Sequence, residues 1–98
     1  FSSSNFKYTN FFTSSLNNIE IIDSDFSNSI FTESKIKNIS LYNSTFNETE
    51  FIRTNLKDVD FSTCNIERIV FDVDSLKGIK INVLQASDII SLLGVQIK

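Results

Sequence analysis

The sequence has no proline, no histidine and no methionine, and it contains only two glycines and one cysteine. Because proline and glycine mark loops and linkers, their scarcity indicates one domain of 98 residues without an internal linker. The single cysteine argues against a disulfide-stabilised scaffold. Without histidine, a zinc site would have to be built almost entirely from carboxylates, so we expect neither a metal site nor a cofactor.

The chain also lacks a strong charge and a long apolar segment. It has 9 basic and 12 acidic residues, for a net charge of −3. This balance does not provide the concentrated basic surface that direct nucleic-acid binding requires. No apolar run approaches the ~18 residues of a membrane span. We therefore expect no direct contact with nucleic acid or membrane, and a cytoplasmic location. Since the chain opens on Phe1, we also expect it to be part of a longer protein.

What the sequence does have is a period of five that runs from Phe1 to Ile81. Every fifth residue is Phe, Leu or Ile, and nine of the ten phenylalanines occupy these positions. A second set, two residues earlier in each repeat, is mostly serine, threonine or another small residue. A period of five fits neither a helix nor a flat strand. It is typical of a chain that turns a corner every five residues and sends one large and one small side chain inward.

Four such sides would close one coil, which predicts a deeper period of twenty residues. That period is present in the bulky columns Phe11, Phe31, Phe51 and Phe71; Leu16, Ile36, Leu56 and Leu76; and Phe6, Phe26, Phe46 and Ile66. Like side chains on successive coils would stack at the strand spacing of about 4.8 Å. The sequence therefore predicts an all-β solenoid with a filled axis.

Three consecutive repeats show a familiar motif: Thr54-Asn55-Leu56-Lys57-Asp58, Val59-Asp60-Phe61-Ser62-Thr63 and Cys64-Asn65-Ile66-Glu67-Arg68. They resemble the pentapeptide repeat proteins, whose consensus is Ala-(Asp/Asn)-Leu-x-x, and the resemblance covers about residues 1 to 83. It implies a right-handed quadrilateral β-helix of about four coils, which we assign to residues 1–82. It also implies a binding protein rather than an enzyme, without catalytic residues.

The last residues, 83–98, change period and predict a capping α-helix followed by a short strand. Asn82 and Gln85 have the spacing of a helix N-cap and its partner at the third helical position. Apolar residues at helical spacing then predict a helix over residues 83–93. Gly94 stands where a C-terminal cap is expected, and the closing strand would contain Val95 and Ile97.

This tail carries a second resemblance. Gln85-Ala86 followed by Leu92-Leu93-Gly94-Val95 is similar to the ending of many bacterial pentapeptide repeat proteins, the quinolone-resistance (Qnr) type among them. In those proteins the terminal helix caps the last coil and pairs two subunits. Two interpretations stay open: capping of an exposed β-edge alone, or a homodimer as well. The predicted dimer residues are Ile89, Ile90, Leu92 and Leu93.

The outward residues fall into three groups by side of the coil. One side carries Lys35, Lys37, Lys57 and Lys77. Two sides carry the acids Glu20, Asp23, Asp25, Glu48, Asp60 and Glu67. The fourth is partly apolar, with Phe12, Ile30, Ile52, Val70 and Val73. The charges are either an ordinary solvated surface or an imitation of duplex DNA. The apolar side is either a partner site or a set of good strand formers.

Two functions remain open. The first, which the resemblance to the Qnr-type proteins implies and the acidic sides support, is a homodimeric DNA mimic that binds or protects a type II topoisomerase (DNA gyrase or topoisomerase IV). The alternative is a cytoplasmic structural or protein-interaction scaffold with an unidentified partner. Both are non-enzymatic.

Two inward positions of the small set need separate interpretation. Cys64 is expected to be a buried thiol that packs as a small hydrophobe rather than a nucleophile. Asp74 replaces the usual serine or threonine. Either it faces inward and bonds backbone amides, or the corner around it is distorted.

Overall fold

The computed structural model of the chain describes residues 2–92. Within this range the elements are β1 (Asn10–Phe12), β2 (Ser15–Ile22), β3 (Ile30–Thr32), β4 (Lys35–Tyr42), β5 (Glu50–Ile52), β6 (Val70–Phe71), α1 (Val73–Leu76) and α2 (Val83–Leu92). Phe1, the expected helix end at Leu93, the cap at Gly94 and the closing strand with Val95 and Ile97 lie outside the described residues.

All strand pairs are parallel, and each residue pairs with the one a full coil further along the chain. One sheet has the order β1-β3-β5-β6, and the other pairs β2 with β4. In the larger sheet Phe31 pairs with Phe11 on one side and with Phe51 on the other. The register confirms the predicted period of twenty residues, and the chain winds as a β-solenoid of about 3 turns. The fourth coil, the right-handed sense and the quadrilateral outline stay predictions.

A left-handed backbone residue closes most sides of the coil; Thr63 and Val73 are the exceptions in the series. Non-glycine residues with φ between 46° and 66° recur every fifth position from Ser3 to Asp58, and Arg68 and Gly78 continue the series. Positive φ is uncommon outside glycine, asparagine and aspartate. Its recurrence at fixed spacing therefore marks a repeated turn, and confirms the corner predicted every five residues.

Stacked phenylalanine rings fill the axis of the solenoid. Successive ring centroids are 4.5 and 5.0 Å apart in the column of Phe11, Phe31 and Phe51. They are 4.8 and 5.1 Å apart in the column of Phe6, Phe26 and Phe46. Burial of these rings, together with ring–ring contact, is the main stabilising term for the coils. The predicted bulky columns are confirmed.

The small inward column adds hydrogen bonds that the sequence analysis did not predict. The hydroxyl of Ser24 accepts a bond of 3.2 Å from the Ser4 N–H and donates one of 3.0 Å to the Ile22 carbonyl. The hydroxyl of Ser44 accepts from the Ser24 N–H in the same way, at 3.1 Å. Serine therefore satisfies buried backbone groups of two successive turns, which alanine could not do.

This column shifts by one residue at α1. Asp74 is exposed, and its carboxylate pairs with the ammonium of Lys77 at 3.3 Å. Ser75 takes the buried position instead, only 1% exposed. Its hydroxyl accepts from the Thr54 N–H at 2.9 Å and donates to the carboxylate of Asp72. Of the two interpretations of Asp74, the distorted corner is the one observed.

Helix α2 covers the last coil. Asn82 and Gln85 exchange two bonds of 2.9 Å between their side chains and each other's backbone N–H, so the predicted capping box is confirmed. The Gln85 amide also donates to the carbonyls of Phe61 and Cys64, at 2.8 and 2.7 Å. Ile89, 8% exposed, packs against the core beneath it.

The molecule is elongated, with extents of 39 × 24 × 23 Å. The two short dimensions are nearly equal, as expected for a chain that coils about one axis. No helix within residues 2–92 is long and apolar enough to cross a membrane.

Candidate binding surfaces of the solenoid

The outward side chains of β1, β3, β5 and β6 form one continuous surface, which we call the sheet wall. Each strand presents one apolar and one polar residue: Phe12 with Asn10, Ile30 with Thr32, Ile52 with Glu50, and Val70 with Asp72. Because Asn10 pairs with Ile30, and Ile30 with Glu50, the apolar residue changes sides from one strand to the next. Phe12 is 62% exposed and Val70 38%, and Val73 continues the surface at 64%.

Acidic side chains border this apolar surface, and the sequence analysis missed them. The four carboxylates are Glu33, Glu50, Asp72 and Asp74. Arg53 offsets part of the charge through a 3.1 Å ion pair with Glu33. The signal was available in the sequence, since these residues lie within three positions of the apolar ones in the second and later coils.

A second surface, which we call the lysine wall, contains Lys35, Lys37, Lys57 and Lys77. The structure brings these lysines to one side of the coil, as their spacing predicted. Lys35 and Lys37 lie on β4, and all four are exposed. Lys57 packs closely against Gly78 of the next coil. A Cβ atom placed on Gly78 would lie only 3.1 Å from the Lys57 Cγ.

The predicted acidic residues belong to neither of these two walls, and several of them already have partners within the chain. Asp25 pairs with the Lys7 ammonium at 3.5 Å, and Glu48 with Arg68 at 2.8 Å. Asp23 accepts a 2.7 Å bond from the side-chain amide of Asn43. Glu20, Asp60 and Glu67 are exposed. Cross-coil pairing therefore removes part of the negative surface that the sequence suggested.

Two of these carboxylates also stabilise turns of the coil. Burial alone would raise the pKa of Asp25, but hydrogen bonds from Ser27 and the charge of Lys7 lower it overall. The pKa of Asp60 is lowered by hydrogen bonds from Ser62 and by the nearby charge of Lys80. Both carboxylates are consequently ionised at neutral pH, and both support the backbone of a turn.

The cap presents a different apolar surface from the one expected. Val83 and Leu84, at the start of α2, are 89% and 87% exposed. Ile89 is buried in its own chain and Ile90 is half-buried. Leu93 lies outside the described residues, so the dimer interface stays a prediction. The exposed pair could have been found from the helical spacing, because neither position faces the core when Ile89 does.

None of the buried polar groups forms a reactive centre. Cys64 is buried, and the loss of solvent raises the pKa of its thiol, which disfavours the nucleophilic thiolate. Within residues 2–92 no cluster of three or more histidine, cysteine or acidic residues could hold a metal ion.

Comparison with known proteins agrees with this geometry. The family model for pentapeptide repeats matches residues 29–68, in 8 copies. No curated protein matches the chain. The matched residues contain β3, β4 and β5, with the stacked rings of Phe31 on β3 and Phe51 on β5. By their period, their register and these matches, residues 29–68 are similar to the pentapeptide repeat family.

Proposed function

We propose that this chain is a non-enzymatic scaffold that binds another protein through the sheet wall. The observation that supports this is the apolar residue on every strand of that wall, next to a border of carboxylates. Phe12 and Val73 are more than half exposed although large apolar side chains gain by burial. A partner that offers apolar side chains surrounded by lysine or arginine would bury both and match the charge.

The packing of the core also supports binding through the outer surface. The axis is filled by stacked rings, and the hydroxyls of the small column are used by backbone groups. Specificity in such a protein must come from its outer surface, as it does in other solenoids.

A photo-crosslinking residue at Val70 tests this proposal directly in cells. The matched control carries the same residue at Ser40, an exposed position on β4 outside the sheet wall. We expect a discrete protein adduct from position 70 that is absent from position 40, and that Phe12→Ser abolishes. Equal adducts from both positions, or none from position 70, would contradict the proposal.

A second candidate is a DNA mimic that binds a type II topoisomerase in the cytoplasm. It is supported by the exposed carboxylates of Glu20, Asp60 and Glu67 and by the ionised state of Asp25 and Asp60. The ion pairs of Asp25 and Glu48 reduce this negative surface. We therefore rank it second.

A gyrase supercoiling assay with a fluoroquinolone distinguishes the two candidates. The mimic should protect or inhibit gyrase at micromolar protein, and Glu20→Lys with Asp60→Lys should abolish the effect. Phe12→Ser should leave it unchanged. No effect of the unaltered chain on gyrase would eliminate this candidate and leave the scaffold proposal intact.

The homodimer belongs to the same proposal. Val83, exposed at the start of α2, shares a helix face with the half-buried Ile90 two turns later. A second copy would bury both, together with Leu84. Light scattering should give a dimer that Leu84→Asp converts to a monomer and that Ser87→Asp, also on α2, leaves intact. A monomer for the unaltered chain at high concentration would contradict dimerisation and leave capping as the role of α2.

A further inference from the structure

We propose that the lysine wall is a binding site for an acidic polypeptide segment in extended conformation. It adjoins the sheet wall, with which it shares Asp72 and Asp74. Its lysines are not part of that wall, so variants of the lysines test this site without altering the apolar residues of the function proposed above.

The first observation is a contrast in how charges stack. Elsewhere cations lie against an acid of a neighbouring coil: Lys7 against Asp25, Arg53 against Glu33, and Arg68 against Glu48. On the lysine wall Lys57 instead follows Lys37 at the same position of the next coil, in register with the bridge between Lys35 and Asn55. In the turn after that, Gly78 rather than Lys77 lies against Lys57. At the strand spacing of about 4.8 Å, like charges directly opposite each other are destabilising. An anionic ligand would remove that repulsion.

The second observation is that these lysines are not neutralised internally. Lys35, Lys37 and Lys57 form no ion pair with any residue between positions 2 and 92. Lys77 pairs with Asp74, but both side chains are at least 75% exposed and the pair is weak. Most of the positive charge on this wall is therefore available to a ligand.

The third observation is a continuous groove along the same wall. One depression of about 570 Å³ is lined by Arg53, Lys57 and Lys77, with Asn55, and also by the acidic residues Asp72 and Asp74. A second, of about 490 Å³, is lined by Lys35 and Lys37, again by Arg53 and Asn55, and by Glu33, which pairs with Arg53. Basic side chains outnumber acidic ones in both depressions. The shared residues join the two depressions into one path across the coils.

The lining favours a polypeptide over a nucleic acid. Neither depression has an aromatic residue on which a base could stack. Asn55 accepts the Lys57 N–H with its side-chain oxygen, so its NH₂ group is the part that can donate to a peptide carbonyl. Asn17 lines the second depression and offers a second amide.

The spacing of carboxylates on an extended peptide also fits. Side chains on one face of a strand repeat about every 6.6 Å, against about 4.8 Å between coils. The flexible four-carbon stem of lysine accommodates this difference.

The test is fluorescence polarisation with a labelled deca-glutamate peptide, at several salt concentrations. We expect saturable binding that weakens as salt increases. The double variant Lys37→Glu and Lys57→Glu should weaken it by roughly a hundredfold, since two attractive contacts become repulsive. The control Lys7→Glu and Lys80→Glu makes the same change in net charge on other sides of the coil, and should change affinity only a fewfold.

Three results would overturn the proposal: no binding of the unaltered chain at low salt, an equal loss in the control variant, or binding of a ten-nucleotide single strand as tight as that of the peptide. Circular dichroism of both double variants establishes that they keep the fold, so a loss of binding can be read as a loss of the site.

Discussion

The side-chain amide of Gln85 lies 2.7 Å from the carbonyl oxygen of Cys64 and donates a hydrogen bond to it. The same amide group donates to the Phe61 carbonyl at 2.8 Å. These carbonyls belong to the last coil that residues 2–92 form. Gln85 therefore ends the solenoid by replacing, with one side chain, the backbone donors that the next turn would supply.

Replacing Gln85 with leucine should remove these bonds while preserving the volume of the side chain. We expect a loss of about 1–3 kcal/mol in the free energy of unfolding, chiefly from the Cys64 carbonyl, because the Phe61 carbonyl still accepts the Cys64 N–H at 2.9 Å. Urea unfolding followed by circular dichroism measures it, with Ser87→Ala on the exposed face of α2 as the control. A loss as small as the control's would show that water substitutes for the side chain.

Phe31→Ala should cost about 3–5 kcal/mol, because the ring lies between two stacked neighbours and leaves a cavity. The matched control is Phe12→Ala. Phe12 directly follows Phe11, the first ring of this column, and it is 62% exposed. It should cost well under half as much. Similar losses for both variants in thermal or urea unfolding would mean that the stacked columns contribute little to stability.

Lys57→Gln and Lys80→Gln should change stability in opposite directions. Lys57 follows Lys37 at the same position of the next coil, so removing its charge relieves repulsion and should raise the unfolding midpoint at low salt. Lys80 pairs across the coil with Asp60, whose pKa its charge helps to lower. Removing that charge should reduce the midpoint. Both effects should shrink in 1 M salt; a shift of the same sign in both variants would contradict this account.

Stability should fall in acid through the carboxylates that cap turns. A hydrogen bond from Ser75, and one from the Arg53 N–H, keep the pKa of Asp72 below its ordinary value of 3.8. A lowered folded-state pKa contributes stability above the unfolded-state pKa, and that contribution is lost as pH falls through the folded-state value. Asp25 and Asp60 act in the same direction.

We therefore expect the urea midpoint to decrease as the pH is lowered from about 5 to about 2. Asp72→Asn should reduce the midpoint at pH 7 and should flatten this dependence, so that the variant and the unaltered chain converge in acid. Asp88→Asn, at an exposed position on α2, is the control. Curves for Asp72→Asn that stay parallel to those of the unaltered chain would show that Asp72 is not responsible.

Much of the site could be predicted because the repeat assigns each residue to a column. Lys57 was placed beside Lys37 from numbering alone, and the coil arrangement agrees. The acids could be placed in the same way, but their partners could not. The ion pair of Glu48 with Arg68 joins residues one coil apart, and it depends on which rotamers the corners allow. Helical spacing places the exposed apolar pair of α2 once Ile89 is known to face the core, but which residue faces the core depends on how the terminal helix docks.

The sequence by itself determined the period, the corners and the stacked columns, because a side chain every fifth residue must point inward once the chain coils. It also determined the capping box, which is a local pattern of Asn82 and Gln85. Only the tertiary structure decided that Ser75 replaces Asp74 in the buried column, that Gln85 reaches the carbonyls of the coil below, and which charges neutralise each other. Those outcomes depend on contacts between residues about a coil apart. The geometry of these contacts decides which arrangement has the lower free energy, and no local sequence pattern specifies that geometry.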